Sequence, residues 1–526
     1  MSLKKRLTAV GIIAIAAAIT FGIAKSGRQI TEKQENIIFT NEKETLYLWY
    51  TDEALTSYLS GAAVAYNESH DVRIVPVLES GLEYLESINR ASIETNVPDL
   101  YILGHDLLEK AYLAGLASEV APAQGRSAEE LYIGAGIQAA TYKDKMIGYP
   151  FYFETSALLY NRTYLEQMAM SQLEAEAVQA AEEAGELTDE NIQATEEAST
   201  SQTQTEDAAG EQGNGEGQQQ TEDTPEEQFT KEQIDQRVLE LIPSTIEDIK
   251  SFADSYDAPE QVEGVFKWDV TDIFYNYFFV GKAMDMGGEA GWDTSRIDIY
   301  NPDAIKSMKV YQELNQFFSN DTSVSSYEGI LNEFMEGKMV FTMATSDAVA
   351  KLEQAKKEEA FLYDYGIAPA PDINDEMQTR SLSMTGCVVI NGYSGNKQVA
   401  NDFALYLTTQ YNDILYDRTG KVSAAKNVNY DNEALNEFAG AYERSISMPK
   451  MLETSNFWVR LESAFSEIWN GADVNEKLKA LSEQIMRQVT GQEYQEEYIE
   501  EEPEAPEEEY SDEEYYDEDE TDSGQE

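Results

Sequence analysis

Three times between Leu46 and Gly115 the chain passes from a short apolar run to a stripe of apolar residues at helical spacing, and this alternation narrows the fold more than any other feature. The runs are Leu46 to Tyr50, Val72 to Leu78, and Leu100 to Leu103 after Pro98-Asp99. The stripes are Leu55, Tyr58, Leu59, Ala62 and Tyr66, then Leu82, Leu85 and Ile88, then Leu107, Leu108, Ala111, Tyr112 and Gly115. Strands joined through helices pair in parallel, so the order predicts an α/β fold whose mostly parallel sheet is covered on both faces. Downstream, Asn301-Pro302-Asp303 combines a capping side chain, a first-turn proline and an acid, which predicts a helix start. Its buried stripe is Ile305, Met308, Tyr311, Leu314 and Phe317; further helices are predicted around Val399 to Leu407 and Leu461 to Trp469. No internal repeat is visible.

Three further motifs follow in order: Tyr149-Pro150 leading to Tyr160-Asn161, Phe334-Met335-Glu336-Gly337-Lys338 leading to Phe341, and Tyr365-Gly366-Ile367-Ala368-Pro369. Apolar runs flanked by Gly or Pro predict strand ends and tight turns, where two lobes can meet a ligand.

The 526 residues suffice for two lobes, but the net charge of −62 is not spread evenly. Residues 171–230 hold 17 Asp/Glu and residues 493–526 hold 19, neither with any Lys or Arg, which leaves −26 on the rest. From Thr200 to Thr224 there is no large apolar side chain, so this stretch cannot bury enough surface to offset its ordering entropy. A disordered acidic insertion is predicted over residues 169–236, with helical edges at Leu165 to Ala181 and Phe229 to Leu241, and a solvated acidic tail over residues 493–526. The same charge argues against nucleic acid as a partner, because phosphate would meet a repelling field.

Lys4-Lys5-Arg6 precede an apolar run from Leu7 to Ala24, so residues 1–24 read as an export signal, either cleaved or kept as a membrane anchor, and the body is expected outside the cytoplasm. Cys387 is the only cysteine, which excludes an intramolecular disulfide, and it is expected to be a small buried residue. With two histidines, no nucleophile elbow and no clustered ligands, neither metal nor cofactor is expected, and His105 is expected to be structural.

Residues 44–490 resemble the extracellular solute-binding proteins of sugar uptake transporters, in their maltodextrin-binding branch. The residues that carry this are Leu48-Trp49-Tyr50, Val97-Pro98-Asp99-Leu100, Gly104-His105-Asp106, Ala114-Gly115-Leu116, the stretch from Tyr142 to Pro150, Gly287-Gly288, the three motifs above, Ser447-Met448-Pro449 and Phe457-Trp458, in collinear order. The resemblance implies a two-lobe fold of the periplasmic-binding-protein kind, with a hinge and a cleft between the lobes. Lobe 1 would hold residues 44–153 and 384–431, lobe 2 residues 156–383 and 432–490, with crossings near 153–156, 382–385 and 430–434.

The implied function is capture of a sugar or oligosaccharide and its delivery, by a monomer, to the permease of an ABC transporter. A surface sensor feeding a membrane receptor is the alternative, and a secreted glycosidase finds no support in residue spacing. The implied ligand-binding residues are Glu154, then Asp106, then Asp52 and Glu53 as hydrogen-bond acceptors, with Trp458 and Tyr275 as ring platforms. Three positions depart from the pattern: Thr345-Ser346-Asp347 stands in place of Gly-Pro-Trp, so Asp347 replaces a ring; Leu103 replaces a tryptophan; and Leu107 replaces an arginine.

Overall fold

The computed structural model describes residues 43–93, 97–122, 125–183, 229–318, 326–454 and 456–500. The run from Leu7 to Ala24, the middle of the acidic insertion and most of the acidic tail therefore lie outside the described residues. A unit Met1–Glu44 separates from a unit Thr45–Glu526, and the latter carries the fold.

Ten strands form one sheet: β1 (Glu44–Tyr50), β2 (Val72–Leu78), β3 (Leu100–Gly104), β4 (Tyr149–Asn161), β5 (Gly264–Phe266), β6 (Met339–Thr345), β7 (Tyr365–Ala368), β8 (Leu382–Ile390), β9 (Val422–Ser423) and β10 (Ile446–Ser447). Their order is β2-β1-β3-β8-β4-β6-β5, with β7 and β9 also on β4 and β10 on β8. The principal helices are α1 (Thr56–Ser69), α2 (Tyr84–Ile93), α3 (Leu108–Leu113), α4 (Arg162–Glu183), α5 (Lys231–Leu241), α6 (Pro302–Phe317), α7 (Asp347–Lys357), α8 (Lys397–Thr409), α9 (Leu415–Thr419), α10 (Glu433–Arg444), α11 (Phe457–Trp469) and α12 (Val474–Thr490).

The three motifs read from sequence mark β4, β6 and β7, which lie side by side. β4 changes partners partway: Tyr149 to Thr155 pair antiparallel with β8, whereas Ser156 to Tyr160 pair with β6. Each half-sheet is covered on both faces because successive side chains point opposite ways. In the first half, Leu100, Ile102, Val388 and Ile390 join one core, and Tyr101, Leu103, Cys387 and Val389 another. In the second, Leu158 and Tyr160 enter one core, Ala157 and Leu159 the next. These are the two lobes of a two-lobe α/β fold built on a curled sheet.

Several expectations need correction. The sheet is mixed and not mostly parallel, because β8 runs antiparallel to both β3 and β4, and β4 runs antiparallel to β6, β7 and β9. Phe317 is 43% exposed and Phe318 takes the core position instead, because α6 ends there and Phe318 is already extended at φ −106°. Leu82 precedes α2 and is exposed, so Tyr84 takes the inward place. The range 169–236 is too wide for an unstructured insertion, since α4 runs to Glu183 and α5 begins at Lys231 behind a Thr230–Gln233 capping box. Arg237 joins the two helices through a bidentate pair with Glu176, at 2.8 and 2.9 Å. The tail is held through its first eight residues: Ile499 packs on the lobe 2 core, donates its N–H to the Tyr300 hydroxyl at 2.9 Å and accepts from Asn475 Nδ2 at 2.9 Å.

Candidate functional site

Parallel strands end their carboxyl edges together, and ligands of open α/β sheets gather at that edge. Asp52 follows the end of β1 and Asp106 the end of β3. Asp52 caps a short 3-10 turn by accepting the Ala54 N–H at 2.9 Å, and its other oxygen lies 2.8 Å from Lys421 Nζ. Burial pushes the Asp52 carboxyl up, but Lys421 and the Ala54 amide outweigh it and hold the group below its usual range. Glu53, beside it, is exposed.

Asp106 sits at the start of the turn after Gly104, and there is no room for a side chain between them. A Cβ on Gly104 would lie 2.5 Å from Asp106 Oδ1 and 3.6 Å from the Met384 methyl. Burial raises the Asp106 carboxyl above its usual value, against its own and the Leu107 amides. Met384 is the register partner of Glu154. The Glu154 side chain is 53% exposed, with Oε1 3.9 Å from Lys421 Nζ.

The second group assembles at the end of β6. Thr345 there pairs with Ser156, two residues along β4 from Glu154, or roughly 7 Å at strand rise. The Thr345 hydroxyl donates to Asp347 Oδ1, which also accepts from the Tyr327 hydroxyl at 2.9 Å, while Lys351 Nζ lies 2.7 Å from Asp347 Oδ2. Tyr275 is buried, stacked on Tyr327 with centroids 4.8 Å apart and its hydroxyl 3.4 Å from Thr345 Oγ1. Trp458, in the first turn of α11, is partly exposed and meets Tyr277 edge-on at 5.4 Å.

Asp52 and Glu154 thus meet at Lys421 near the point where β4 changes partners, Asp106 follows the end of β3, and Thr345, the partner of Tyr275 and Asp347, stands opposite Ser156 two residues further along β4. Trp458 stands in a separate ring contact, and Glu53 makes none of these contacts. Sequence reasoning missed Lys421, Tyr152 and Tyr327. Tyr152 was within reach, since residues i and i+2 of a strand share a face and Glu154 was already singled out. Lys421 and Tyr327 belong to segments far from their partners in sequence, and nothing local marks them.

His105 is fully buried: Nδ1 accepts the Thr385 N–H at 3.0 Å, so Nε2 carries the proton and donates to the Met448 carbonyl at 2.9 Å. Burial pushes its pKa down to about 3. Burial likewise raises the Cys387 thiol, to about 12. A groove of about 980 Å³ lies elsewhere, along β7 and α10, and none of the expected site residues lines it. Among the described residues no group of three or more His, Cys, Asp or Glu could hold a metal ion, and no helix is long and apolar enough to cross a membrane.

This fold, with polar and aromatic groups gathered where the half-sheets join, defines a solute-binding protein. The chain belongs to the bacterial extracellular solute-binding protein family, whose model matches residues 61–437. It is similar to the galactooligosaccharide-binding protein of Bacillus subtilis strain 168, 20% identical over 493 residues that cover 91% of this chain and 96% of that one. Among solved structures it resembles the Staphylococcus aureus extracellular solute-binding protein in complex with maltose, at 16% identity and TM-score 0.63, covering 87% of this chain and 99% of that one. The cyclo/maltodextrin-binding protein complexed with maltotetraose, at 18% identity and TM-score 0.61, covers 86% and 98% in the same sense. Members of the family are extracytoplasmic binding proteins.

Proposed function

We propose that this protein captures a sugar or oligosaccharide outside the cytoplasm, closes its lobes over it and hands it to an ABC permease. The observation that supports this is the pair of carboxylates Asp52 and Glu154 on Lys421, beside the partly open Tyr152 ring at the β4 crossover, with Asp106 following the end of β3. Carboxylates accept hydrogen bonds from hydroxyls, and aromatic faces stack on the apolar side of a sugar ring. The sugar-bound solved relatives and the named ligand of the Bacillus subtilis relative favour the same ligand class. Delivery to a permease rests on the family, and residues 1–24 would serve as export signal or anchor. Ligand is expected to meet one lobe first, with closure then completing its burial.

A thermal-shift screen over mono- and oligosaccharides tests the proposal, since a ligand bound only by the folded state raises its melting temperature. Calorimetry on the best hit should then show Glu154→Gln and Trp458→Ala each weakening affinity about 10-fold or more, equal to about 1.4 kcal/mol, with melting unchanged. Unchanged affinity in both variants would remove the assigned site.

A further inference from the structure

We infer that Lys421 is a resident cation of the sugar site, fixing its preference for uncharged hydroxylated sugars over amino sugars. The inference rests on the sugar-capture function proposed above. α9 ends at Gly420, whose φ of +72° turns the chain, and Lys421 N–H is taken by Thr419 Oγ1 at 3.1 Å. β9 then pairs Val422 with Phe153 and Ser423 with Tyr152, so the same register carries Lys421 opposite Glu154. The ammonium stands 2.8 Å from Asp52, 3.9 Å from Glu154 and 4.6 Å above the Tyr152 ring, with the side chain only 15% exposed.

A ligand amine seeking two carboxylates and a ring face would need this place, and Lys421 already fills it. Each carboxylate keeps free lone pairs, which hydroxyl donors of a neutral sugar can use. An acidic sugar would meet Asp52 and Glu154 together. Lys421 therefore acts as a positioning residue: it orients Asp52 and Glu154 and excludes a competing cation.

The test compares maltotetraose or a galactotetraose, whichever raises the melting temperature more, with the glucosamine tetramer, by calorimetry on the full chain. The wild type should bind the neutral probe and reject the amine. Lys421→Met and Lys421→Gln should lose about 10-fold on the neutral probe and gain on the amine, and Lys421→Arg should keep the wild-type ranking. Neutral-probe affinity in Lys421→Met should also fall at a higher pH on acidification, because Asp52 loses the cation that holds its carboxyl low. If the wild type binds the neutral probe and both neutral variants keep its selectivity and pH profile, the inference about Lys421 is wrong and the site stands. If the wild type binds neither probe, the sugar-site proposal fails and the inference with it.

Discussion

Two deeply buried ionisable side chains, His105 and Lys450, tie distant residues together. His105 must stay neutral, because a proton on Nδ1 would face the Thr385 N–H that this nitrogen now accepts. Its folded pKa of about 3 lies below the ordinary 6.5, so the unfolded chain takes up the proton first as pH falls. The stability it contributes is full above 6.5 and is lost as pH drops toward about 3. Thermal melts across this window should fall more steeply for the wild type than for His105→Gln; parallel curves would refute the assignment. Lys450 is buried, and its ammonium donates to three carbonyls: Gln138 at 3.1 Å, Thr141 at 2.9 Å and Ala290 at 2.5 Å. Lys450→Met strands those carbonyls and should cost roughly 3 kcal/mol in denaturant unfolding. Of these residues, His105 was legible as structural from its place at a strand end. The role of Lys450 was not, since its partners come from two segments far from it in sequence, Gln138 with Thr141 and Ala290.

At the scale of elements, Gly386 shows how a strand residue can support a site without touching ligand. It pairs with Tyr152, and a Cβ there would lie 2.4 Å from the ring that carries the Lys421 ammonium. Gly386→Ala should displace that ring, destabilise the fold by about 1–3 kcal/mol and weaken sugar binding, as paired melting and calorimetry would show. The paired helices α4 and α5 set the limits of the insertion in the same way. Removing residues 186–226 behind a short linker should leave melting and binding unchanged, whereas removing residues 171–230 also deletes Glu176 and leaves Arg237 with Glu240 alone, so that α4 and α5 lose their bidentate link. Strands and helices with clean periodicity were legible because burial imposes that period, as in α1 and α6. Their ends were not, because a single residue such as Phe318 changes direction on local backbone geometry.

Over the whole molecule, the two-lobe architecture was legible through the family resemblance that the collinear order of motifs carries. The meeting of Asp52, Glu154 and Lys421 was not, because it depends on which strands β4 pairs with on either side of Thr155. That one strand has a mechanical corollary. Since its first seven residues complete one half-sheet and its last six the other, no peptide bond within it can be cut without unzipping both. Controlled digestion should therefore yield no stable fragment that corresponds to a single half-sheet, and such a fragment would contradict this picture.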